Sequence, residues 1–176
     1  MAPHSLHICE TGRLILRHLQ SDDAAFILTL LNEPSFLENI GDKRVRTLDE
    51  ARHYIQTGPQ ASYVEHGFGL FLVQLKETDA PIGICGLIKR DGLDAPDIGY
   101  AFLPQFWSKG YAIEAASAVM IFAQETLGLQ RIVAITAPDN HASIRVLSKL
   151  GLKFDKMIRL PGASAESRLF TPTTCA

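Results

Sequence analysis

Apolar residues follow two different periods along this sequence, and each period predicts one kind of element. Short runs that alternate or stay apolar between turn residues predict strands, whereas apolar residues spaced three or four apart predict helices. The predicted strands span residues 13–17, 68–76, 82–90, 97–103, 131–136, 153–160 and 166–170. The second, third and fourth of these are separated only by short turns, so they are predicted to form an antiparallel meander.

Two helices are predicted between the first and second strands. Ser21 is the predicted N-cap of the first, because serine accepts a hydrogen bond from the first turn of a helix. The buried side of this helix would carry Phe26, Leu30 and Leu31. Thr47 and Glu50 form a capping box, which predicts a second short helix over residues 51–56.

Two further helices lie in the second half of the chain. The longer one spans residues 111–127 and ends at Gly128. Its apolar positions at helical spacing are Ala112, Ala116, Val119, Ala123 and Leu127. The other helix starts at residues 138–140 and carries Ile144, Leu147 and Leu150 on its apolar face. Residues 32–46 and 57–67 have no regular period and are predicted to be loops, with Phe36 exposed.

The order of these elements predicts an α+β fold. A strand and two helices precede three antiparallel strands, and a helix, a strand, a helix and a final strand pair follow. This order contains one β-α-β crossover at its centre. No repeat or linker interrupts the pattern, so residues 1–176 are predicted to form a single domain.

Composition narrows the classes of function. The 176 residues are 47% apolar and 20% charged with a formal net charge of −2, which argues against a nucleic-acid partner. The densest basic stretch, residues 43–46, is interpreted as a solvated loop. No apolar run reaches the ~20 residues that span a bilayer, and the N-terminus lacks a signal-peptide pattern, so no membrane association is predicted.

The three cysteines, Cys9, Cys85 and Cys175, are odd in number and far apart in sequence. They fit neither a disulfide framework nor a zinc site, and no metal is predicted. Cys85 lies in an apolar run and is expected to be a core residue. Together these features predict a reduced, cytoplasmic protein.

The segment most informative about chemistry lies between a predicted strand and the long helix. A helix N-terminus presents unpaired N–H groups and a partial positive charge. Gly110 and Ala112 leave little side chain there, so a pyrophosphate can approach the main chain closely, and Lys109 adds a cation. The alternative is that Gly110 only eases a tight turn.

Residues 107–112 (WSKGYA) resemble the pyrophosphate-binding signature of the GNAT acetyltransferases, Arg/Gln-x-x-Gly-x-Gly/Ala. Trp107 departs from this signature, but Trp-x-Lys-Gly-Tyr-Ala is familiar in the branch that acetylates the N-terminal alanine or serine of ribosomal proteins. Residues 11–17 (TGRLILR), Ile98-Gly99-Tyr100 and Asn140-x-x-Ser143…Lys149-Leu150-Gly151 also resemble this branch. The resemblance covers residues 11–170.

The resemblance implies a central mixed, mostly antiparallel sheet, splayed at the cofactor cleft and flanked by helices on both faces. It implies acetyl-CoA as cosubstrate, with its pantetheine arm in a cleft between strands 97–103 and 131–136. The residues implied to contact acetyl-CoA are Ala101, Phe102 and Leu103 at the arm, Ser108, Lys109, Gly110, Tyr111 and Ala112 at the pyrophosphate, and Asn140. Asn140 is also expected to cap its helix.

Catalysis requires a base for the amine and an acid for the departing thiolate. Many GNAT enzymes have a tyrosine acid seven residues after the asparagine, but this chain has Leu147 there. The resemblance instead indicates Ser143 as the acid, although its hydroxyl could simply bond a helix carbonyl. Asp97 is the candidate base, and it could equally be a turn residue.

Other candidate bases are Tyr100, Glu33, Glu38 and His141, and a water relay would also serve. Phe36 and Tyr100 are the predicted acceptor-binding residues, and Trp107 and Tyr111 could also wall the pocket. Glu114 is assigned a structural role at the helix dipole.

The favoured function is therefore transfer of an acetyl group from acetyl-CoA to a primary amine by direct attack, with a peptide or protein N-terminus as acceptor. A small-molecule amine, such as a polyamine, an amino sugar or another metabolite, is the alternative acceptor. A non-catalytic acetyl-CoA sensor and a structural protein with a vestigial cleft are the non-enzymatic alternatives. The pattern leaves open the oligomeric state and whether the natural acyl group is longer than acetyl.

Overall fold

The computed structural model describes residues 7–173 and shows a mixed α+β fold. The strands are β1 (His7–Glu10), β2 (Leu14–Arg17), β3 (Leu70–Leu75), β4 (Pro81–Ile88), β5 (Asp97–Phe102), β6 (Ala134–Thr136), β7 (Leu152–Ile158) and β8 (Ser167–Pro172). The helices are α1 (Ala24–Leu31), α2 (Pro34–Asn39), α3 (Leu48–Ile55), α4 (Ala61–His66), α5 (Tyr111–Glu125) and α6 (His141–Lys149). Each strand and helix predicted from the sequence has a counterpart here.

Two antiparallel sheets carry the fold. The first has the order β1-β2-β3-β4-β5 and the second the order β6-β8-β7. They meet at one parallel bridge between Asp97 of β5 and Val133, which precedes β6. The combined strands therefore form a mixed, mostly antiparallel sheet, as the sequence resemblance implied.

Helices cover both faces of the first sheet. On one face, α5 buries Ala115, Ala116, Val119 and Ala123 in the core that contains Leu14, Leu16 and Phe71. On the other face, α1 and α3 pack on the sheet through a second core. The buried members of that core from the helices and strands include Ile27, Leu30, Ile55, Leu72 and Ile84.

Of the two helix starts predicted in the first half of the chain, one is confirmed and the other is wrong. Thr47 and Glu50 form the predicted capping box at the start of α3. The prediction for Ser21 is wrong, because Ser21 lies inside a short 3₁₀ turn and α1 begins at Ala24. At the start of this 3₁₀ turn, the Asp23 carboxylate accepts from the N–H of Gln20 at 2.8 Å, as in a capping box.

The two segments predicted to be loops contain helices. Pro34 opens α2, where proline suits the first turn, and α4 lies within residues 57–67. Phe36 is 5% exposed and packs in the second core, so its predicted exposure is wrong. The amphipathic signal failed because these helices have only six residues each, fewer than two full turns.

Two of the three cysteines lie within the described residues. Cys85 is fully buried in the first core, as predicted, and Cys9 is half-buried; both are free thiols. Cys175 lies outside the described residues.

Within residues 7–173, no helix is long and apolar enough to cross a membrane, and no cluster of three or more His, Cys, Asp or Glu side chains could hold a metal ion.

Candidate active site

The two sheets join at one point and then separate. The N–H of Ile98 donates to the carbonyl of Val133 at 2.9 Å, and the N–H of Val133 donates to the carbonyl of Pro96 at 3.0 Å. Beyond this bridge, the described parts of β5 and β6 share no backbone hydrogen bond. A cavity of about 870 Å³ fills the opening, with lining residues from β4, β5, the start of α5, β6, α6 and helices α2 to α4.

The register of β5 determines which of its main-chain groups face this opening. The N–H of Leu103 donates to Ile82 of β4 at 3.0 Å, and in an antiparallel pair the residues that bond the partner strand alternate. Ala101, opposite Ile84, therefore also pairs with β4, whereas Tyr100 and Phe102 direct their main chain to the opening. Their N–H groups are therefore not used in the pairing of β5 with β4.

This register leaves fewer main-chain groups free for the cofactor arm than the resemblance implied. Both backbone groups of Leu103 are used, because its carbonyl accepts from the N–H of Phe106 at 3.0 Å. The carbonyl of Phe102 accepts from the Trp107 indole at 2.8 Å. The groups left open to a ligand are those of Tyr100 and the N–H of Phe102, and Ala101 contributes to the lining of the cavity.

The loop before α5 exposes a row of N–H groups. Ser108 and Gly110 have positive φ angles of 59° and 83°, and the first N–H to find a helical acceptor is that of Glu114, which bonds the carbonyl of Gly110. The N–H groups of residues 108–112 have no acceptor among the described residues. Alternation of left-handed and right-handed residues at a helix start makes an anion-binding concavity. The N–H groups that were predicted to bind the pyrophosphate are therefore free to meet an anion.

Arg13 ties the N-terminal strand to this loop. Its guanidinium donates to the carbonyl of Lys109 at 3.0 Å and lies 4.4 Å from the centre of the Tyr111 ring. It also pairs with Glu114 at 2.6 Å, and Glu114 accepts from Thr11 as well. Glu114 therefore anchors Arg13 in addition to the helix-dipole role predicted for it. Residues 11–17 resemble the family in sequence, but that resemblance did not imply a role for them in this network.

Tyr100 and Ser143 meet at the wall of the cavity. Their hydroxyl oxygens lie 2.9 Å apart, and the Tyr100 hydroxyl is also 3.3 Å from the Ser143 carbonyl. Burial raises the pKa of Tyr100 to about 12. Asn140 caps α6 by accepting from the N–H of Ser143 at 3.1 Å, as predicted, and its amide nitrogen has no partner within residues 7–173. Leu147 is buried beneath them.

Asp97 is 1% exposed and lies at the point where the two sheets join. Its carboxylate accepts from Nε of Arg90 at 2.9 Å. Burial raises the pKa of Asp97 to about 6, because the loss of hydration outweighs the attraction of Arg90. A carboxylate with a pKa near neutrality that lines a cavity is suited to proton transfer.

The remaining candidates divide between the cavity and the surface. Phe36, Trp107, Tyr111 and Glu33 line the cavity, and Trp107 is 49% exposed. Glu38 and His141 are exposed and do not line it. Of the carboxylates among the predicted bases, Asp97 and Glu33 therefore line the cavity.

Three cavity residues were missed by sequence reasoning. Lys43, Tyr54 and Arg90 all line the opening. Lys43 lies in an exposed loop, as the solvated-loop interpretation predicted, and it also lines the cavity. Its neighbour Arg46 pairs with Asp42 at 2.7 Å.

Comparisons with known proteins agree with this architecture. Residues 13–153 match the acetyltransferase (GNAT) domain family. An uncharacterized N-acetyltransferase of Bacillus subtilis, YoaA, is 31% identical, with 86% of each chain covered. The ribosomal alpha-N-protein acetyltransferase RimL in complex with coenzyme A has a TM-score of 0.79 at 17% identity, with 94% and 96% of the two chains covered. A spermidine N-acetyltransferase chimera of Vibrio cholerae SpeG and hSSAT has a TM-score of 0.73 at 17% identity, covering 92% and 95%.

Proposed function

This chain belongs to the GNAT family of acetyltransferases, and we propose that it acetylates the α-amino group of a peptide or protein. Acetyl-CoA is the acetyl donor in this family. The observation that supports the proposal most is the continuity of one cavity from the free N–H row before α5, past the hydroxyl pair of Tyr100 and Ser143, to Asp97. Donor site, proton donor and base thus border a single space.

The described residues fit acetyl-CoA. The N–H groups of residues 108–112 bind the pyrophosphate, and Gly110 keeps its approach open. The main chain of Tyr100 and Phe102 and the free amide nitrogen of Asn140 bind the pantetheine arm. Arg13 holds the loop in the conformation that presents these groups.

The transfer needs one proton removed and one supplied. The acceptor nitrogen bonds the acetyl carbon as the carbon–sulfur bond breaks, the amine loses a proton and the sulfur gains one. Asp97 takes the amine proton, and Ser143 donates its hydroxyl proton to the sulfur. Tyr100, a stronger acid than serine, passes its own proton to Ser143 through their hydrogen bond. A proton from solvent restores Tyr100, and Asp97 releases the amine proton to solvent. General acid and general base catalysis each contribute ~10²–10⁴-fold.

The α-amino preference follows from the strength of the base. An α-ammonium has a pKa of ~7.7–8.0, whereas that of a lysine side chain is ~10.4. A carboxylate with a pKa of about 6 accepts the first proton far more readily than the second. A weak base therefore favours N-terminal acceptors over lysine side chains at neutral pH.

A small amine is the second candidate acceptor, since the fold is shared with a spermidine acetyltransferase. The cations Lys43 and Arg90 in the cavity oppose a polycation such as a polyamine. Incubation of the enzyme and acetyl-CoA with a panel of peptides, polyamines and amino sugars, with free thiol and product mass as readouts, tests the choice. Turnover of peptides supports the proposal, turnover of polyamines alone overturns it, and acetyl-CoA binding without any turnover indicates a sensor.

A further inference from the structure

A charged network joins the turn between β1 and β2 to the first turn of α5. Oε1 of Glu114 accepts from the Thr11 hydroxyl and, at 3.1 Å, from the N–H of Arg13. Oε2 accepts from Nε of Arg13 at 2.7 Å and lies 2.6 Å from Nη2 of the same guanidinium. The side chain of Glu114 is 19% exposed, against 49% for Arg13. Donors from Thr11 and Arg13 therefore surround a carboxylate that is mostly shielded from water.

The same guanidinium contacts the loop before α5. Nη1 of Arg13 donates to the carbonyl of Lys109 at 3.0 Å, and Nη2 lies 3.4 Å from the place of a Cβ atom added to Gly110. Little more than the width of one guanidinium therefore separates the Glu114 carboxylate from the main chain of this loop. The N–H groups assigned to the pyrophosphate, those of residues 108–112, belong to the same segment. A bound pyrophosphate would be a close neighbour of Glu114.

Glu114 is an anion at neutral pH. Partial burial alone would raise the pKa of Glu114, but the hydrogen bonds from Thr11 and Arg13 outweigh it, and the pKa is lowered. Like charges repel strongly where water is partly excluded, so an uncompensated carboxylate here would oppose the binding of phosphates. Each guanidinium nitrogen of Arg13 already has a partner in the protein. The charge of Arg13 is therefore used on Glu114 and is not left free for a ligand.

We propose that Arg13 is a positioning residue for the donor: by pairing with Glu114, it removes a negative charge from the site that receives the pyrophosphate of acetyl-CoA. The helix dipole favours Glu114 where it stands, yet the same carboxylate would compete with the pyrophosphate for that dipole if Arg13 did not hold it. Thr11 supports the pairing through its hydroxyl. This inference rests on the proposed function for acetyl-CoA as the donor, and it is independent of the acceptor.

Calorimetric titration of the enzyme with coenzyme A tests this role without an acceptor. Arg13→Met leaves Glu114 charged and unpaired, so the Kd should rise about 10-fold or more. Adding Glu114→Gln removes the charge that Arg13 no longer cancels, and the Kd should return to within about 3-fold of the wild type. If Arg13 acted only through its contact with Lys109, the double variant would bind no more tightly than Arg13→Met, and the inference would be overturned.

The double variant also decides alone if Arg13→Met does not fold, because a neutral pair leaves no unpaired charge. A Kd within about 3-fold of the wild type then supports the inference, and any larger loss contradicts it. Arg52→Met is the matched control. It removes an exposed arginine that pairs with Asp49 at 2.6 Å, outside the cavity, and should leave the Kd unchanged.

Matched donors separate an effect at the pyrophosphate from a general loosening of the fold. S-acetylpantetheine carries the thioester and pantetheine arm of acetyl-CoA but no pyrophosphate. In Arg13→Met, KM for acetyl-CoA should rise with little change in kcat, whereas kcat/KM for S-acetylpantetheine should stay near that of the wild type. Equal losses with the two donors would show that Arg13 supports the fold and not the donor's phosphates.

The outcomes separate this inference from the proposed function. If the wild type does not bind coenzyme A, the donor site itself is wrong and the role of Arg13 falls with it. If the wild type binds coenzyme A and Arg13→Met binds it equally well, only the role of Arg13 is wrong. If coenzyme A binds but no α-amine is acetylated, the proposed acceptor is wrong, and the calorimetric comparison of the variants still decides the role of Arg13.

Discussion

The hydroxyl groups of Tyr100 and Ser143 lie 2.9 Å apart, although 43 residues separate them in sequence. Tyr100 belongs to β5 and Ser143 to α6, so this hydrogen bond joins a strand and a helix that both line the cavity. Either hydroxyl can donate, and the arrangement in which Tyr100 donates leaves the Ser143 proton free for the sulfur of the leaving group. In the proposed mechanism, this pair supplies the acid that Leu147 cannot provide.

Ser143→Ala tests the acid. We expect kcat to fall on the order of 10–100-fold, below the upper range for acid catalysis because a thiolate leaves readily. The Kd for acetyl-CoA should move little, since one hydroxyl contributes at most a modest hydrogen bond. Single-turnover kinetics and calorimetry measure the two quantities. An unchanged kcat, with chemistry shown to be rate-limiting, would remove Ser143 from the mechanism.

Tyr100→Phe tests the second member of the pair. The ring packing is kept, but Ser143 loses the donor that restores its proton, so kcat should fall about 3–30-fold, part of the range for acid catalysis. In the double variant with Ser143→Ala, the Tyr100 change should add almost nothing, because residues that act as a unit are not additive. Losses that multiply in the double variant would show that Tyr100 acts independently of Ser143.

Much of the fold was predictable from the sequence, but the hydrogen bond between Tyr100 and Ser143 was not. The meander of β3 to β5, the capping box at Thr47 and the glycine turn before α5 are local signals, so they appeared in the pattern. The Tyr100–Ser143 bond depends on how α6 packs across β5. The burial of Phe36 and the approach of Arg13 to Lys109 likewise depend on tertiary contacts between distant segments.

The pH dependence of kcat/KM for the acceptor tests Asp97. The base must be ionised, with a pKa of about 6, and the acceptor α-amine must be neutral, with a pKa of ~7.7–8.0. The logarithm of kcat/KM should therefore rise with a slope of 2 below pH 6, with a slope of 1 up to about pH 8, and then level. Asp97→Asn should lower the rate and retain only the slope of 1. A slope of 2 that persists in Asp97→Asn would assign the lower pKa to another group.

The raised pKa of Asp97 also predicts how the free energy of unfolding depends on pH. The pKa of Asp97 is raised on folding, so the native state binds this proton more tightly than the unfolded chain. The associated stability is fully present below the unfolded pKa near 3.8 and is lost as the pH rises through about 6. Urea unfolding from pH 4 to 7 should show this decline. Asp97→Asn should remove it, and an identical decline in that variant would place the titration elsewhere.

Gly110→Glu tests the pyrophosphate site. The substitution places a carboxylate at the free N–H row and forces a side chain onto a residue with a φ of 83°, so acetyl-CoA binding should be abolished. Gly128→Glu is the matched control, because Gly128 follows α5 with a φ of 67° and no neighbouring atom within 4 Å of an added Cβ. Both variants should remain folded by circular dichroism. Near-normal binding by Gly110→Glu would refute the assignment.

The most direct test of the account is the position of the acetyl group on a peptide that offers both kinds of amine. A peptide with a free N-terminus and one internal lysine, incubated with acetyl-CoA and the enzyme at pH 7.5, is mapped by tandem mass spectrometry while thiol release is followed. The proposed α-amino acetylation predicts one acetyl group on the α-nitrogen, with an equal amount of free coenzyme A. Acetylation of the lysine alone, or no acetylated peptide despite acetyl-CoA binding, would contradict it.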